Sequence, residues 1–400
     1  MAMLADKVAA HRSAPDDAHG IDVSVVLPCF NERESVALCV GQAKEAFATS
    51  GLRGEVIVVD NNSSDGSAEV AVAAGARIVL ERRRGYGAAL AAGIGAARGT
   101  VVVMADADCT YPLENLDQLV RPVMDETLDL VLGGRLGSAN RTTMPVMHRL
   151  VGTPLLTYLV REGSGDLSIT DSQSGFRAFN RKSIVALDLH AQGMEFASEM
   201  LIRAGQQNLR VGEVSLGYRP RLGESKLAAW RDGLRHLRLI FSLNPHLIMW
   251  QSGIVMTVLG IALTVGAAMR PGGFHIGSVV WQPVYFSSIL LVLGLIAALG
   301  GALLAFHSPS SPAGVRRMFS WIADPIFHMN VRRFACLLGI GGLLLETALL
   351  FTWLHGGIGA IYQRMVLAGL GQTVILGSAI LLAFAVGYPR CTGSLQRPKP

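Results

Sequence analysis

The stretch Val101-Val102-Val103-Met104-Ala105-Asp106-Ala107-Asp108 decides how this chain is read. Its apolar run has the length and β-branched content of a strand buried on both faces, as in a parallel sheet. A strand core has no use for the two carboxylates that follow. One residue apart at a strand's carboxyl end, they stand where open α/β sheets bind ligands. Hard oxygen donors there suit Mg2+ or Mn2+ holding a diphosphate. A lone Asp-x-Asp is equally compatible with a polar loop start, so the neighbouring elements decide.

Upstream, Val23–Leu27 is an apolar strand ending in Pro28-Cys29-Phe30-Asn31-Glu32. A helix follows, with Asn31 as its cap and Glu34 in the capping-box position. Glu55–Val59 is a second strand, ending in Asp60-Asn61-Asn62-Ser63-Ser64-Asp65-Gly66 before a helix over Ala68–Ala74. Arg77–Leu80 is a third, after which Gly85-Tyr86-Gly87 opens a small-residue helix over Ala88–Ala97. Strands alternating with helices predict right-handed βαβ units and a parallel sheet. Polar clusters at several strand ends converge on one edge. No G-x-G-x-x-G follows the first strand, and no G-x-x-x-x-G-K-[ST] occurs, which excludes a P-loop.

Past Pro245 the composition changes. Mean hydropathy over the 400 residues is +0.40 and half the residues are hydrophobic, too apolar for an ordinary soluble protein. The excess lies in four blocks, Leu247–Ala268, Val284–Phe306, Phe334–Leu354 and Val366–Val386, each near the ~20 residues that cross a bilayer as a helix. Arg316, Arg317, Arg332 and Arg333 lie between blocks two and three, whereas the other connections hold little more than Arg270 and Arg364. By the positive-inside rule, the N-terminal domain, the middle connection and the tail with Arg390, Arg397 and Lys399 face the cytosol. Met1–Gly20 has no apolar core and carries Asp6, Asp16 and Asp17, so it is expected to be a disordered tail and not a signal peptide. Five cysteines without a C-x-x-C pair suggest neither a zinc site nor a disulfide framework. The net charge of +5 sits largely beside the apolar blocks, which suits anionic lipid and argues against a nucleic-acid partner.

Pro28-Cys29-Phe30-Asn31-Glu32-Arg33-Glu34, Val58-Val59-Asp60-Asn61, Asp106-Ala107-Asp108, Gly133-Gly134-Arg135, Asp171-Ser172-Gln173-Ser174-Gly175-Phe176 and Gly223-Glu224-Ser225-Lys226-Leu227 occur in that order. In this the chain resembles glycosyltransferase family 2 of the GT-A fold, and within it the polyprenyl-phosphate enzymes such as dolichol-phosphate mannose and glucose synthases. The resemblance runs from about Val23 to Leu227 and does not cover the apolar blocks. It implies an α/β domain with a mainly parallel sheet. Pro28, Phe30, Glu32, Val59, Asp60 and Asn61 would surround the nucleotide, Asp106 and Asp108 would hold the metal and diphosphate, and Ala107 between them would bind substrate. Arg135, Arg221 and Lys226 would lie near phosphates, with Asp171 and Ser174 to Phe176 on the acceptor side. The family often has Tyr where Phe30 stands, Asp where Asn61 stands, and in mannose synthases Gln where Thr110 stands, which leaves nucleotide and sugar open. The Q-x-x-R-W signature of processive synthases is absent, which argues for single transfer. The resemblance implies an inverting enzyme.

The expected chemistry is loss of a diphosphate stabilised by a divalent cation, with Asp108 as direct ligand and Asp106 near the ribose or a metal-bound water. Arg135 suits bidentate phosphate contact. A polyprenyl phosphate is already an anion and needs little general base, and Asp171 and Glu199 are the candidates for one. Leu227, Trp230, Leu234, Leu237 and Phe241 form a helical stripe, off which Arg231, Arg235 and Arg238 fall. That helix either lies in the headgroup plane or packs its stripe on the soluble domain. Glu346 within block three is paired by depth with Gln372 of block four.

The organisation expected is therefore a tail (1–20), a GT-A domain (21–226), an amphipathic juxtamembrane helix (227–245), a four-helix transmembrane domain (246–388) with a basic connection (307–333), and a cytosolic tail (389–400). The expected activity moves one glucose- or mannose-type sugar from a UDP- or GDP-sugar to a polyprenyl phosphate at the inner face of the cell membrane. Transfer to another lipid such as diacylglycerol is the alternative enzyme. A silent scaffold or flippase partner is the alternative outside catalysis, and four spans leave self-association open.

Overall fold

The computed structural model describes residues 20–135, 152–165, 168–222, 229–270, 274–277, 279–281, 283–308, 311–355 and 361–395. The expected tail up to His19, Gly223 to Leu227 with Lys226, and the last five residues lie outside the described residues. The chain divides into two compact units, Met1–Leu243 and Asn244–Pro400.

The first unit is an α/β domain. Its strands are β1 (Val23–Cys29), β2 (Gly54–Asp60), β3 (Arg77–Leu80), β4 (Val101–Met104), β5 (Leu130–Gly134), β6 (Arg177–Asn180) and β7 (Val211–Ser215). They form one sheet in the order β3-β2-β1-β4-β6-β5-β7. All neighbours pair in parallel except β6, which runs antiparallel to both β4 and β5. Register does the functional work. β1 and β2 pair from Val23↔Gly54 to Cys29↔Asp60, and β4 pairs Met104 with Val26, so their polar ends finish on one edge. Because β6 pairs Arg177 with Met104 in the opposite direction, the residues before β6 arrive beside those after β4.

Helices α1 (Val36–Ser50), α2 (Ser67–Ala73), α3 (Tyr86–Ala96), α4 (Leu116–Met124), α5 (Thr153–Ser164), α6 (Arg181–Val185), α7 (Phe196–Gln206) and α8 (Ala229–Leu243) complete the unit. On one face of the sheet, Val25, Leu27, Val58 and Val103 pack with Val36, Cys39, Val40 and Phe47 of α1 and with Leu116, Leu119 and Val120 of α4. On the other, α3 lies so close that a Cβ on Gly93 would come within 2.3 Å of Val26 Cγ1 and 2.8 Å of Val59 Cγ2. One local expectation is corrected. Helix α1 starts at Val36 behind Ser35, and Asn31 is not its cap. Asn31 has a φ of 55° and ties two loops together, accepting from the Ser64 amide at 2.8 Å and donating its own amide to Ser63 Oγ at 3.0 Å.

The second unit holds four helices long and apolar enough to cross a membrane, α9 (Pro245–Met269), α10 (Pro283–His307), α12 (Pro325–His355) and α13 (Ile361–Leu395), with a short helix α11 (Ala313–Met318) between the pairs. A two-stranded hairpin of β8 (Phe274–Ile276) and β9 (Val279–Trp281) links α9 to α10. Gly253, Gly260, Gly294 and Gly301 let α9 and α10 meet backbone to backbone, as membrane helices without a hydrophobic drive between them require. Glu346 of α12 packs on Gly371 of α13, where a Cβ would meet its carboxylate. Gln372, expected to pair with it, is exposed instead, because one residue along a helix turns about 100° away from the contact. Helix α13 also continues past 388, the expected end of the membrane segment, to Leu395.

Filling the α3–sheet contact tests this packing. Gly93→Val is expected to cost about 1–3 kcal/mol through overpacking against Val26 and Val59, read as a lower denaturation midpoint. An unchanged midpoint would mean that α3 does not bear on the sheet at this position.

Candidate active site

At the carboxyl ends of β1, β2 and β4 the first unit opens a cleft of about 320 Å3. Pro28, Phe30, Asn61, Arg84, Asp106, Ala107, Asp108, Met194, Asp232 and Arg235 are among the residues that line it. The sequence-predicted Glu32 and Arg221 line it as well.

The Asp106–Asp108 turn is held from several sides. Ser35 Oγ donates to the Ala107 carbonyl at 2.7 Å. Tyr86 Oη donates to Asp106 Oδ1 at 2.8 Å. Asp108 Oδ1 accepts from the Thr110 amide at 3.1 Å and the Thr110 hydroxyl at 2.6 Å. Burial first, and then the Asp108 charge, push Asp106 up to a pKa of about 6, against the opposing charges of Arg135 and Arg221.

Arg221 supplies the cation at this point. Its Nη2 meets Glu32 Oε1 at 2.6 Å and its Nη1 lies 3.4 Å from Asp108 Oδ2. Its Nε is buried without a hydrogen-bond partner among the described residues. A buried donor left open is costly unless a ligand fills it, and the bound oxygen of a phosphate would do so.

The segment before β6 closes the site from below. Arg135 grips Asp171 with both prongs, Nε to Oδ2 at 2.7 Å and Nη2 to Oδ1 at 2.9 Å. Asp171 also accepts from the amides of Arg135 and Gln173. Burial works against its ionised form, yet the Arg135 guanidinium outweighs this and holds the carboxyl below its ordinary range. Breaking such a buried pair by removing one partner costs about 3–5 kcal/mol, since a bare charge is left behind. Arg177, fully buried at the start of β6, has no carboxylate partner in its hydrogen bonds; it donates to the carbonyls of Ser172, Ser174 and Ala197 at 2.7–2.9 Å. Burial lowers its pKa to about 10. Ser174 Oγ donates to the Gly133 carbonyl at 2.5 Å, and the Gly175 amide donates to Tyr111 Oη at 2.8 Å. These bonds press Gly175 against Asp106: a Cβ there would stand 3.2 Å from its carboxylate.

The expected residues thus separate into two groups. Pro28, Phe30, Glu32, Asn61, Asp106, Ala107, Asp108 and Arg221 share the cleft. Arg135, Asp171 and Ser174 form the scaffold beside it. Val59 is in the core under Gly93, and Asp60 is buried, accepting from the Ser63 amide. Glu199 lies off the cleft lining, 1% exposed, with Oε2 taking the amides of His190 and Ala191 and Oε1 the Arg203 guanidinium. It holds the loop whose Gln192 carbonyl would lie 2.2 Å from a Cβ on Gly85, a residue at φ 147° where only glycine fits. Asn61 spends its whole amide on the next loop, donating to the carbonyls of Glu81 and Arg83 and accepting from the Gly85 amide. An Asp there could not make the two donations. Tyr86, Arg84 and Arg177 were not singled out from sequence. Arg84 stacks over the Phe30 ring at 5.1 Å. The only local trace of these roles is the placement of Arg84 and Tyr86 around Gly85, at the start of a helix that faces the first strand end.

Residues 24–187 match the family model described as glycosyl transferase family 2. The chain is 31% identical over 368 residues, 90% of its length and 88% of the relative's, to the low-salt glycan biosynthesis hexosyltransferase of Haloferax volcanii. It is 30% identical over 215 residues, 53% of its length and 89% of the relative's, to the dolichyl-phosphate hexose transferase of the same organism. Among solved structures, glucosyl-3-phosphoglycerate synthase from Mycobacterium tuberculosis, in complex with Mn2+, UDP and glucosyl-3-phosphoglycerate, is 25% identical with a TM-score of 0.46, over 57% of this chain and 82% of that one.

The raised pKa of Asp106 has a stability consequence. The folded protein holds this proton up to a pH of about 6, whereas a carboxyl of the unfolded chain releases it near 3.8. Ionisation therefore destabilises the ligand-free fold as pH rises between these values, fully so above 6. Asp106→Asn is expected to raise the melting temperature of chelator-treated protein at about pH 7.5, with the gain fading as pH falls toward 4. A variant that melts lower than the parent at both pH values would contradict the assignment.

Proposed function

This chain belongs to glycosyl transferase family 2 and is a glycosyltransferase, and we propose that it moves one hexose from a nucleoside diphosphate sugar to a polyprenyl phosphate. The observation that carries the donor half is the meeting of Asp106, Asp108 and Arg221 in one cleft, with the Arg221 Nε buried and open. The acceptor half draws on the four apolar helices and on the similarity to a dolichyl-phosphate hexose transferase.

In this reading Phe30 with the stacked Arg84 receives the base, and Asn61 acts by holding the loop that carries Arg84. Arg221 binds the diphosphate. Asp106 and Asp108 would hold the cation. Among the described residues no cluster of three or more metal-binding side chains occurs, so two carboxylates would be completed by diphosphate oxygens and water, the manner in which Mg2+ and Mn2+ are usually held beside phosphates. When bound, the cation neutralises charge on the departing diphosphate. Arg135, Asp171 and Ser174 act as positioning residues, because all four donors that reach the Asp171 carboxylate come from the protein and leave it poorly placed to accept a proton. The acceptor phosphate is itself an anionic nucleophile, so orientation for attack replaces a general base. Inversion follows from direct displacement, giving a β-linked product from an α-linked donor.

The chain is a membrane protein with four candidate spans. The arginines between the second and third spans favour a catalytic unit on the cytosolic side of the cell membrane.

The decisive assay takes purified full-length protein, Mg2+ or Mn2+, polyprenyl phosphate and a panel of labelled UDP- and GDP-sugars. A lipid-soluble labelled product with one donor supports the reading. Label in diacylglycerol but not in polyprenyl phosphate would overturn the acceptor. Asp108→Ala is expected to lower transfer by at least about 100-fold while the protein remains folded in the membrane, in line with the loss of a main electrostatic group at the reacting charge.

A further inference from the structure

Helix α8 has three faces, and they differ. Its inner face carries His236, 5% exposed, and the buried Ile240, and packs on α5 and α7. His236 Nδ1 bonds Ser198 Oγ at 2.9 Å, and Ser198 Oγ takes the Gln173 amide at 3.2 Å. Gln173 belongs to the segment pressed against Asp106, so α8 is pinned to the scaffold of the site. A second face points into the cleft with Asp232 and Arg235. The third bares Trp230, 81% exposed, and Leu234, 48% exposed, one turn apart. Of the apolar stripe read from sequence, Trp230 and Leu234 are thus exposed, whereas Leu237 and Phe241 are half-buried and Leu227 lies outside the described residues.

Among the described residues three arginines line the cleft, and two are engaged: Arg84 on Phe30, and Arg221 between Glu32 and Asp108. Among the described residues Arg235 has a 3.7 Å approach to Asp232, and half its side chain is in the open. Next to it in the helix stands Leu234, and beyond that Trp230. A cation in the cleft lining with exposed apolar side chains on the same helix matches a ligand that begins as a phosphate and continues as a hydrocarbon. A nucleotide sugar has no part that would use the strip.

We propose that Arg235 binds the phosphate of the lipid acceptor and that Trp230 and Leu234 carry the first units of its hydrocarbon chain. This rests on the acceptor reading above and assigns residues to it. Arg231 and Arg238 are also exposed on α8 but do not line the cleft, which makes them internal controls.

Initial rates are measured on full-length protein in mixed micelles, varying polyprenyl phosphate and nucleotide sugar separately. Arg235→Ala is expected to raise the KM for polyprenyl phosphate by about 10-fold or more, the scale of one charge-assisted contact, with the KM for nucleotide sugar unchanged. Arg235→Lys should recover part of the loss, and Arg238→Ala should change neither constant. Trp230→Ala should weaken a long-chain acceptor more than a short-chain phosphate. An unchanged acceptor KM in Arg235→Ala, or a rise confined to the donor KM, overturns the proposal while leaving the function intact. Parent protein that transfers to diacylglycerol and not to polyprenyl phosphate removes the function reading itself and the proposal with it.

Discussion

Two carboxylates one residue apart at the end of a buried strand repel each other, and the rest of the catalytic unit is arranged around that repulsion. Burial comes first and the Asp108 charge second in pushing Asp106 up to a pKa of about 6. The fold answers with fixed dipoles and cations: the Tyr86 hydroxyl on Asp106, the Thr110 amide and hydroxyl on Asp108, and Arg221 across Asp108 and Glu32. These relieve the repulsion only in part. In the proposed function, a cation and a diphosphate would complete this site.

Buried arginines set the geometry of everything beside those carboxylates. Arg177 is fully buried and Arg135 largely so, yet they solve the cost of burial differently. Arg135 neutralises itself on Asp171, whereas Arg177 spreads its charge over three backbone carbonyls. The first solution fastens the end of β5 to the segment before β6, and the second fastens that segment to α7. Together they hold Gly175 within a methyl group's reach of Asp106. Rigid support of this sort is what keeps a reacting group within a fraction of an ångström of its working position.

The same segment reaches outward through Gln173 and Ser198 to His236 of α8. A helix with an apolar exposed edge, a basic exposed edge and a polar buried edge is consequently joined to the site by hydrogen bonds. Charge and apolar surface beside an active site serve a lipid substrate in a way that a uniformly polar rim does not.

Much of this was legible along the chain. The apolar runs of β1 to β4, the polar ends of those strands, the Asp106–Asp108 pair and the four long apolar helices are properties of consecutive residues, and hydropathy and period report them directly. Strands β5 to β7 were not among those read from the sequence: β6 is four residues long and begins with a buried arginine, which no period reveals. Nor could spacing show that Arg135 would be consumed by Asp171, that Glu199 would serve a loop, or that α8 would bury His236 and bare Trp230. The Arg135 and His236 contacts join residues 36 and 38 positions apart, and the Glu199 contacts close a loop whose path hydropathy does not report. Sequence by itself determined which residues could bear charge at strand ends and which segments suit a bilayer, because those are local preferences. Tertiary structure decided which charges neutralise each other and which remain for a ligand, because partners are chosen by register and packing.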